Sequence, residues 1–190
     1  MSGTDMLLWL DIETTGVDPV RDSLLEISAM LTDMTGEKTG EEYHSLVKPR
    51  FWRHVRENLS AWAYETHTAN NLIHELDHTG SDDCSWPTVM DTFDQWIRRL
   101  TTDHVLHPTG FSIHFDVDFL SRRMPETMRR LSHRQVDVSS LILTMESINP
   151  DIIQQIHAST GTTDHRSDTC LNVEWKTYKL IRTLLERNMK

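Results

Sequence analysis

The chain is organised around Leu7-Leu8-Trp9-Leu10-Asp11-Ile12-Glu13-Thr14-Thr15-Gly16, an apolar run that ends in two carboxylates and a glycine. Four consecutive large apolar residues predict a strand that is buried on both faces of a sheet. Because side chains alternate along a strand, Asp11 and Glu13 project on the same side. Two adjacent carboxylates repel each other unless a cation neutralises them, and Mg²⁺ or Mn²⁺ prefers oxygen ligands. The stretch therefore predicts a metal site or, more simply, two acids that face water.

The remaining pattern predicts an α/β fold in a single domain over residues 1–190. The chain has 37% hydrophobic residues with 7 Gly and 6 Pro, which is enough apolar material for one core. Strands followed by alternating strands and helices are typical of a mixed sheet flanked by helices. The predicted strands after the first cover 24–34, 41–48, 104–111 and 135–138. The predicted helices cover 58–64, 69–76, a segment beginning near 87, 114–123, 139–149 and the C-terminal region.

Charge and composition narrow the function classes. The net charge of −10 argues against a protein that binds long nucleic acid through many phosphate contacts. No apolar run approaches the roughly 20 residues of a membrane helix, and the start of the chain does not resemble a secretion signal, so a cytoplasmic location is predicted. The two cysteines and 11 scattered histidines match neither a disulfide framework nor a zinc-finger spacing.

Two motifs carry a resemblance to a known family. The phrase Trp9–Gly16, followed by Asp18-Pro19, closely resembles the first motif of the DEDD-type 3′-to-5′ exonucleases. Residues 110–120 resemble the second motif of the oligoribonucleases within that group, with Phe111 where the family has Asn. In that register Asp116 is the motif's acid, although Asp118 is a rival two residues later. Stretches 62–72, 136–141 and 150–153 extend the resemblance in the right order.

The resemblance implies a ribonuclease H-like fold and a homodimeric exonuclease. Members of the family release 5′-mononucleotides from single-stranded RNAs of two to a few residues, using two divalent ions, Mg²⁺ or Mn²⁺, and a histidine base. By this resemblance the first two motifs supply three metal ligands, Asp11, Glu13 and Asp116. The resemblance also implies substrate-binding roles for four side chains: Val17 against the bases, Ser112 at a phosphate, and Trp62 and His67.

The third motif departs from the family pattern, His-x-Ala-x-x-Asp, in which the histidine is the base and the aspartate is the last metal ligand. The chain has His165 as the predicted base, but the residue five positions later is Cys170. A carboxylate, Asp168, lies only three positions after the histidine. A thiol is a poor ligand for Mg²⁺, so Asp168 is the favoured ligand and Cys170 the alternative.

The leading hypothesis is a metal-dependent 3′-to-5′ exoribonuclease that acts on very short RNAs. One alternative is a broader exonuclease with the same site that acts on single-stranded DNA or on the 3′ ends of longer RNAs. The other is a nucleotide-binding homologue that lost catalysis through the altered third motif. Neither long duplex nucleic acid nor a membrane is predicted as a partner.

Overall fold

The computed structural model describes residues 3–80 and 82–188, so both ends of the predicted domain lie outside the described residues. Its sheet has the order β3-β2-β1-β4-β5. Strand β1 pairs antiparallel with β2 and parallel with β4, β2 pairs antiparallel with β3, and β4 pairs parallel with β5. The strands are β1 (Thr4–Thr14), β2 (Leu24–Asp33), β3 (Lys38–Leu46), β4 (His104–Gly110) and β5 (Val136–Asp137).

Helices cover the sheet and confirm the predicted α/β class. Within the described residues they are α1 (Trp52–Glu57), α2 (Ala61–Ala69), α3 (Leu72–His78), α4 (Trp86–Leu100), α5 (His114–Arg123), α6 (Pro125–Met128), α7 (Val138–Ile148), α8 (Ile152–Thr160) and α9 (Ser167–Asn188). Ser60 caps α2, since its side chain accepts a hydrogen bond from the backbone N–H of Ala63. No described helix combines the length and apolar character needed to cross a membrane.

The central strand β1 is buried on both faces, as predicted. Leu8, Leu10 and Ile12 belong to the core that includes residues of α4 and α5. On the other face, Leu7 and Trp9 belong to the cluster that includes Leu171 of α9 and Val138 of α7. A strand held on both sides is a rigid support for the polar residues at its C-terminal end.

Candidate active site

Buried carboxylates meet at the C-terminal end of β1. Glu13 is 6% exposed and Asp116 is 5% exposed, while Asp11 is partly buried. Asp116, in the first turn of α5, accepts a 3.0 Å hydrogen bond from the backbone N–H of Ile12. This bond fixes the acid of the second sequence motif directly beside the two acids of the first.

Burial raises the pKa values of all three acids, and neighbouring carboxylates raise those of Asp11 and Glu13 further. Burial, reinforced by the charges of Glu26 and Asp116, raises the pKa of Glu13 to about 9. Burial likewise raises the pKa of Asp116 to about 8. The pKa of Asp11 is also well above its usual value, because of burial first and then the charges of Glu174, Asp116 and Glu13. A divalent ion would remove this conflict by neutralising the charges.

The third motif places Cys170, and not Asp168, beside the first motif. The ligand atoms of Glu13, His165 and Cys170 all lie within 4.8 Å of one another. Asp168 is exposed, lines a groove with Ser28 and His44, and accepts a 2.8 Å hydrogen bond from the backbone N–H of Thr169. The structure therefore does not bring Asp168, the ligand favoured from the sequence, into the group formed by Glu13, His165 and Cys170, and the ligand role of Asp168 stays a prediction. Since α9 begins at Ser167, residues 168 and 170 point about 200° apart around the helix.

Sequence reasoning missed a further acid, Glu174, which is 1% exposed on α9. Its Oε1 accepts a 2.9 Å hydrogen bond from the backbone N–H of Phe111. Among the residues that the structure describes, neither its Oε2 nor Oδ2 of Asp11 has a hydrogen-bond partner, and both atoms are buried. Unpartnered buried carboxylate oxygens fit a hard divalent cation, so the donor set suits the ions that the sequence predicts. The sequence signal that could have identified Glu174 is its i, i+4 spacing from Cys170 along an apolar helix face.

The segment that carries His165 is fixed by an ion-pair network. Arg166 pairs with the fully buried Glu26 at 2.6 Å and with Glu75 at 2.9 Å. Burial opposes ionisation of Glu26, but hydrogen bonds from His44 and Arg166 outweigh it and lower the pKa of Glu26 to about 2. His165 itself has a left-handed backbone with a φ of 57°. The network thus holds a strained residue in place directly before α9.

Two of the predicted substrate residues lie next to His165 or Glu13. Trp62 is 57% exposed, and its ring lies edge-on to His165 and to His67, with centroid separations of 5.4 and 6.3 Å. His67 is fully buried, and its Nε2 donates a 3.0 Å hydrogen bond to the carbonyl of Thr14 and lies 4.0 Å from Glu13 Oε2. The Trp62 ring is therefore accessible at the rim of the site, whereas the buried His67 stabilises the end of β1 through its hydrogen bond to Thr14.

The other two predicted substrate residues are exposed in loops. Val17 is 82% exposed just after β1. Ser112 is exposed in the turn between β4 and α5, where it has a left-handed φ of 47°. Its backbone N–H donates to Ser139 and Asp137, at 3.0 and 3.2 Å. The Ser112 hydroxyl also donates a 3.4 Å hydrogen bond to Ser139 Oγ. Both residues are exposed, and their binding roles stay predictions.

Comparison with known proteins identifies related nucleases. The exonuclease family model matches residues 8–169 and so ends one residue before Cys170. The oligoribonuclease of Haemophilus ducreyi is 28% identical over 155 residues, covering 78% of this chain and 79% of that protein. That of Cutibacterium acnes is 31% identical over 138 residues, covering 72% of this chain and 65% of the relative. The mitochondrial oligoribonuclease of Mus musculus is 26% identical over 138 residues, covering 71% and 55%.

Solved structures agree on the fold. The zinc-bound complex of E. coli exonuclease I with single-stranded DNA superposes with a TM-score of 0.72 at 16% identity. The match covers 98% of this chain but 42% of the exonuclease I chain, so this chain spans about two fifths of that neighbour's length. The exonuclease family model thus matches most of a chain whose fold brings several acids together. The chain therefore belongs to the exonuclease family and is a nuclease.

Proposed function

We propose that this nuclease hydrolyses single-stranded RNAs of two to a few residues from the 3′ end and releases 5′-mononucleotides. The observation that carries the proposal is the convergence of Asp11, Glu13 and Asp116 at the end of β1 with His165 beside Glu13. Several carboxylates next to a histidine are the equipment of metal-assisted phosphodiester hydrolysis. The curated relatives named oligoribonucleases support the choice of substrate.

The acidic cluster is the proposed holder of two Mg²⁺ or Mn²⁺ ions. Bound ions of this kind stabilise charge on the attacking and leaving oxygens of a phosphodiester. The protein's own contribution is to position the carboxylates through the bond from Ile12 to Asp116, and to hold a base. His165 is exposed at the rim, where its imidazole can act as the general base for the attacking water.

The surface around the site favours a very short substrate. Trp62 exposes its ring beside His165, and Val17 is exposed on the loop after β1, so both can contact bases. Stacking on an aromatic ring needs no particular base sequence. The net charge of −10 disfavours a long phosphate backbone, so recognition is assigned to the terminal residues alone. The homodimer and the cytoplasmic location stay predictions.

The test is a cleavage time course on 5′-labelled RNAs of two, five and about twenty residues, with Mn²⁺, Mg²⁺ or EDTA. We expect rapid, metal-dependent loss of the shortest RNA and little change in the longest. Stepwise shortening of the longest RNA or of single-stranded DNA would favour the broader exonuclease instead. Absence of cleavage with every ion would favour a nucleotide-binding protein without catalysis. The thiol of Cys170 beside Glu13 and His165, where the family pattern has a carboxylate, would then be the reason for the loss.

A pair of variants tests whether His165, rather than another histidine, is the general base. Replacing a general base lowers turnover by about 10²- to 10⁴-fold, so His165→Ala should fall in that range. His54→Ala changes an exposed histidine in the last turn of α1 and should retain the wild-type rate. A His165→Ala variant with most of the wild-type turnover would refute the assignment of the base.

A further inference from the structure

We propose that Glu174 supplies the fourth metal-facing carboxylate, one helical turn beyond the position that Cys170 occupies. The inference rests on the proposed function, since it concerns the same metal site. It assigns a role to a residue outside the segment that the family model matches.

The helix geometry places both residues on the same face. Cys170 and Glu174 are four residues apart on α9, so their side chains project in nearly the same direction. Cys170 faces Glu13 and His165. Glu174 follows one turn later, and its Oε2 lies near the backbone of Leu10, because a Cβ at Gly110 would be 3.2 Å from that oxygen and 2.8 Å from the Leu10 carbonyl oxygen. The same helix face thus presents a thiol to Glu13 and a carboxylate to the segment of β1 next to Asp11.

Backbone groups at the ends of β1 and β4 surround the carboxylate of Glu174. The backbone N–H of Phe111 holds Oε1 at 2.9 Å and leaves Oε2 without a partner. A Cβ atom at Gly110 would lie 3.2 Å from that Oε2 and 2.8 Å from the carbonyl oxygen of Leu10. A side chain at position 110 would therefore crowd the acid. The end of β4 both orients Glu174 and leaves room for its free oxygen.

Two carboxylate oxygens at the site are buried and unsatisfied. Asp11 Oδ2 and Glu174 Oε2 have no hydrogen-bond partner among the described residues. A divalent ion bound by both carboxylates would satisfy these oxygens together, without requiring the oxygens to touch.

The charge of the site supports the same assignment. A neutral thiol at position 170 removes one negative charge from a cluster that would hold two divalent ions. Glu174 restores it, because Asp11, Glu13, Asp116 and Glu174 together provide four carboxylates at the site. The carboxylate that is missing at Cys170 is thus supplied by Glu174, one turn later on α9.

The test is Mn²⁺ binding to metal-free protein, measured by calorimetry without RNA. Glu174→Gln keeps the shape of the side chain and an acceptor for the N–H of Phe111, and it removes only the charge. We expect at least a tenfold loss of affinity for one ion, or loss of that ion altogether, with the melting temperature of the metal-free variant maintained. Equal Mn²⁺ binding by the variant and the wild type would overturn the inference.

Two further variants make the result specific. Asp168→Asn removes an exposed acid from the same helix and should bind Mn²⁺ like the wild type. Adding Cys170→Asp to Glu174→Gln returns a carboxylate to the family position and should restore the lost binding. If the folded double variant does not regain Mn²⁺ binding, the proposed replacement of the carboxylate at position 170 by Glu174 is contradicted. If the wild type binds both ions but cleaves no RNA, the proposed function fails and the inference stands.

Discussion

Arg166 Nη2 lies 2.6 Å from Oε1 of Glu26, and this pair fixes the residue that follows the proposed base. Glu26 is fully buried on β2 and also accepts a 2.9 Å hydrogen bond from the backbone N–H of Ser167. The start of α9 is therefore attached to β2 through Glu26, and also through the 2.7 Å hydrogen bond between the hydroxyls of Ser28 and Ser167. The position of His165 thus depends on a buried acid of the sheet.

Arg166→Lys should lower the turnover of a two-residue RNA by about tenfold, because an ammonium cannot reproduce the planar fork that contacts both Glu26 and Glu75. The measurement is the single-turnover rate together with the melting temperature. Arg53→Lys changes an exposed pair with Glu57 and serves as the control. An unchanged rate in Arg166→Lys would remove this network from the positioning of His165.

Trp62→Ala should raise KM for a two-residue RNA by about tenfold or more, because stacking of a base on an aromatic ring contributes about 1–3 kcal/mol. The melting temperature should change little, since Trp62 is 57% exposed. Tyr64→Ala removes another exposed ring from α2 and should leave KM near the wild-type value. Equal effects of the two substitutions on KM would argue against a base-binding role for Trp62.

The metal-free protein should lose stability as the pH rises from about 5 to 9. In the unfolded chain Glu and Asp ionise near pH 4, roughly at 4.3 and 3.9, whereas the pKa values of Glu13 and Asp116 in the folded chain are about 9 and 8. The folded state therefore binds more protons, and its stability falls with rising pH until these groups ionise. Mn²⁺ should raise the melting temperature more at pH 8 than at pH 5.

The control for this pH dependence is Asp116→Asn, whose amide oxygen still accepts the bond from Ile12. Its metal-free melting temperature should fall less steeply with pH, because one group with a raised pKa is gone. A wild-type melting temperature that rises between pH 5 and 8 in EDTA would contradict the linkage.

Zn²⁺ should inhibit the Mg²⁺-supported reaction through Glu13, His165 and Cys170. An oxygen, a nitrogen and a sulfur ligand atom within 4.8 Å of one another suit Zn²⁺. Burial and the nearby acids raise the pKa of the Cys170 thiol, so it stays protonated until a thiophilic ion displaces the proton. Cys170→Ala should raise the inhibitory Zn²⁺ concentration about tenfold or more, as read from inhibition curves. Equal curves for Cys170→Ala, Asp168→Ala and the wild type would exclude this mode.

The sequence predicted the elements whose signals are local. The apolar run of β1 indicated a strand buried on both faces, and α5 has the predicted bounds of His114–Arg123. Helix α1 was not predicted, because it begins after Phe51, which has a left-handed φ of 62° and provides no side-chain cap. Caps and periodicity are visible in a sequence, but an uncapped helix that follows an unusual backbone turn is not.

The site was predicted only as far as residue spacing allows. Asp11, Glu13 and Asp116 belong to motifs in regular elements, and the structure brings them together. The choice of Asp168 over Cys170 relied on ligand chemistry, whereas the orientation of each side chain depends on where α9 begins. Glu174 was not selected from the sequence, because its surroundings at the site involve Gly110 and Phe111, more than 60 residues earlier.

The parallel pairing of β1 with β4 determines when during synthesis the site can form. Asp5 of β1 pairs with Val105, and the bond from Ile12 to Asp116 closes a loop of 104 residues. Closing such a loop costs entropy before any contact stabilises it. The acids of the first two motifs can meet only after residues through Asp116 have been synthesised, so a nascent chain that ends before Asp116 lacks part of the acidic cluster.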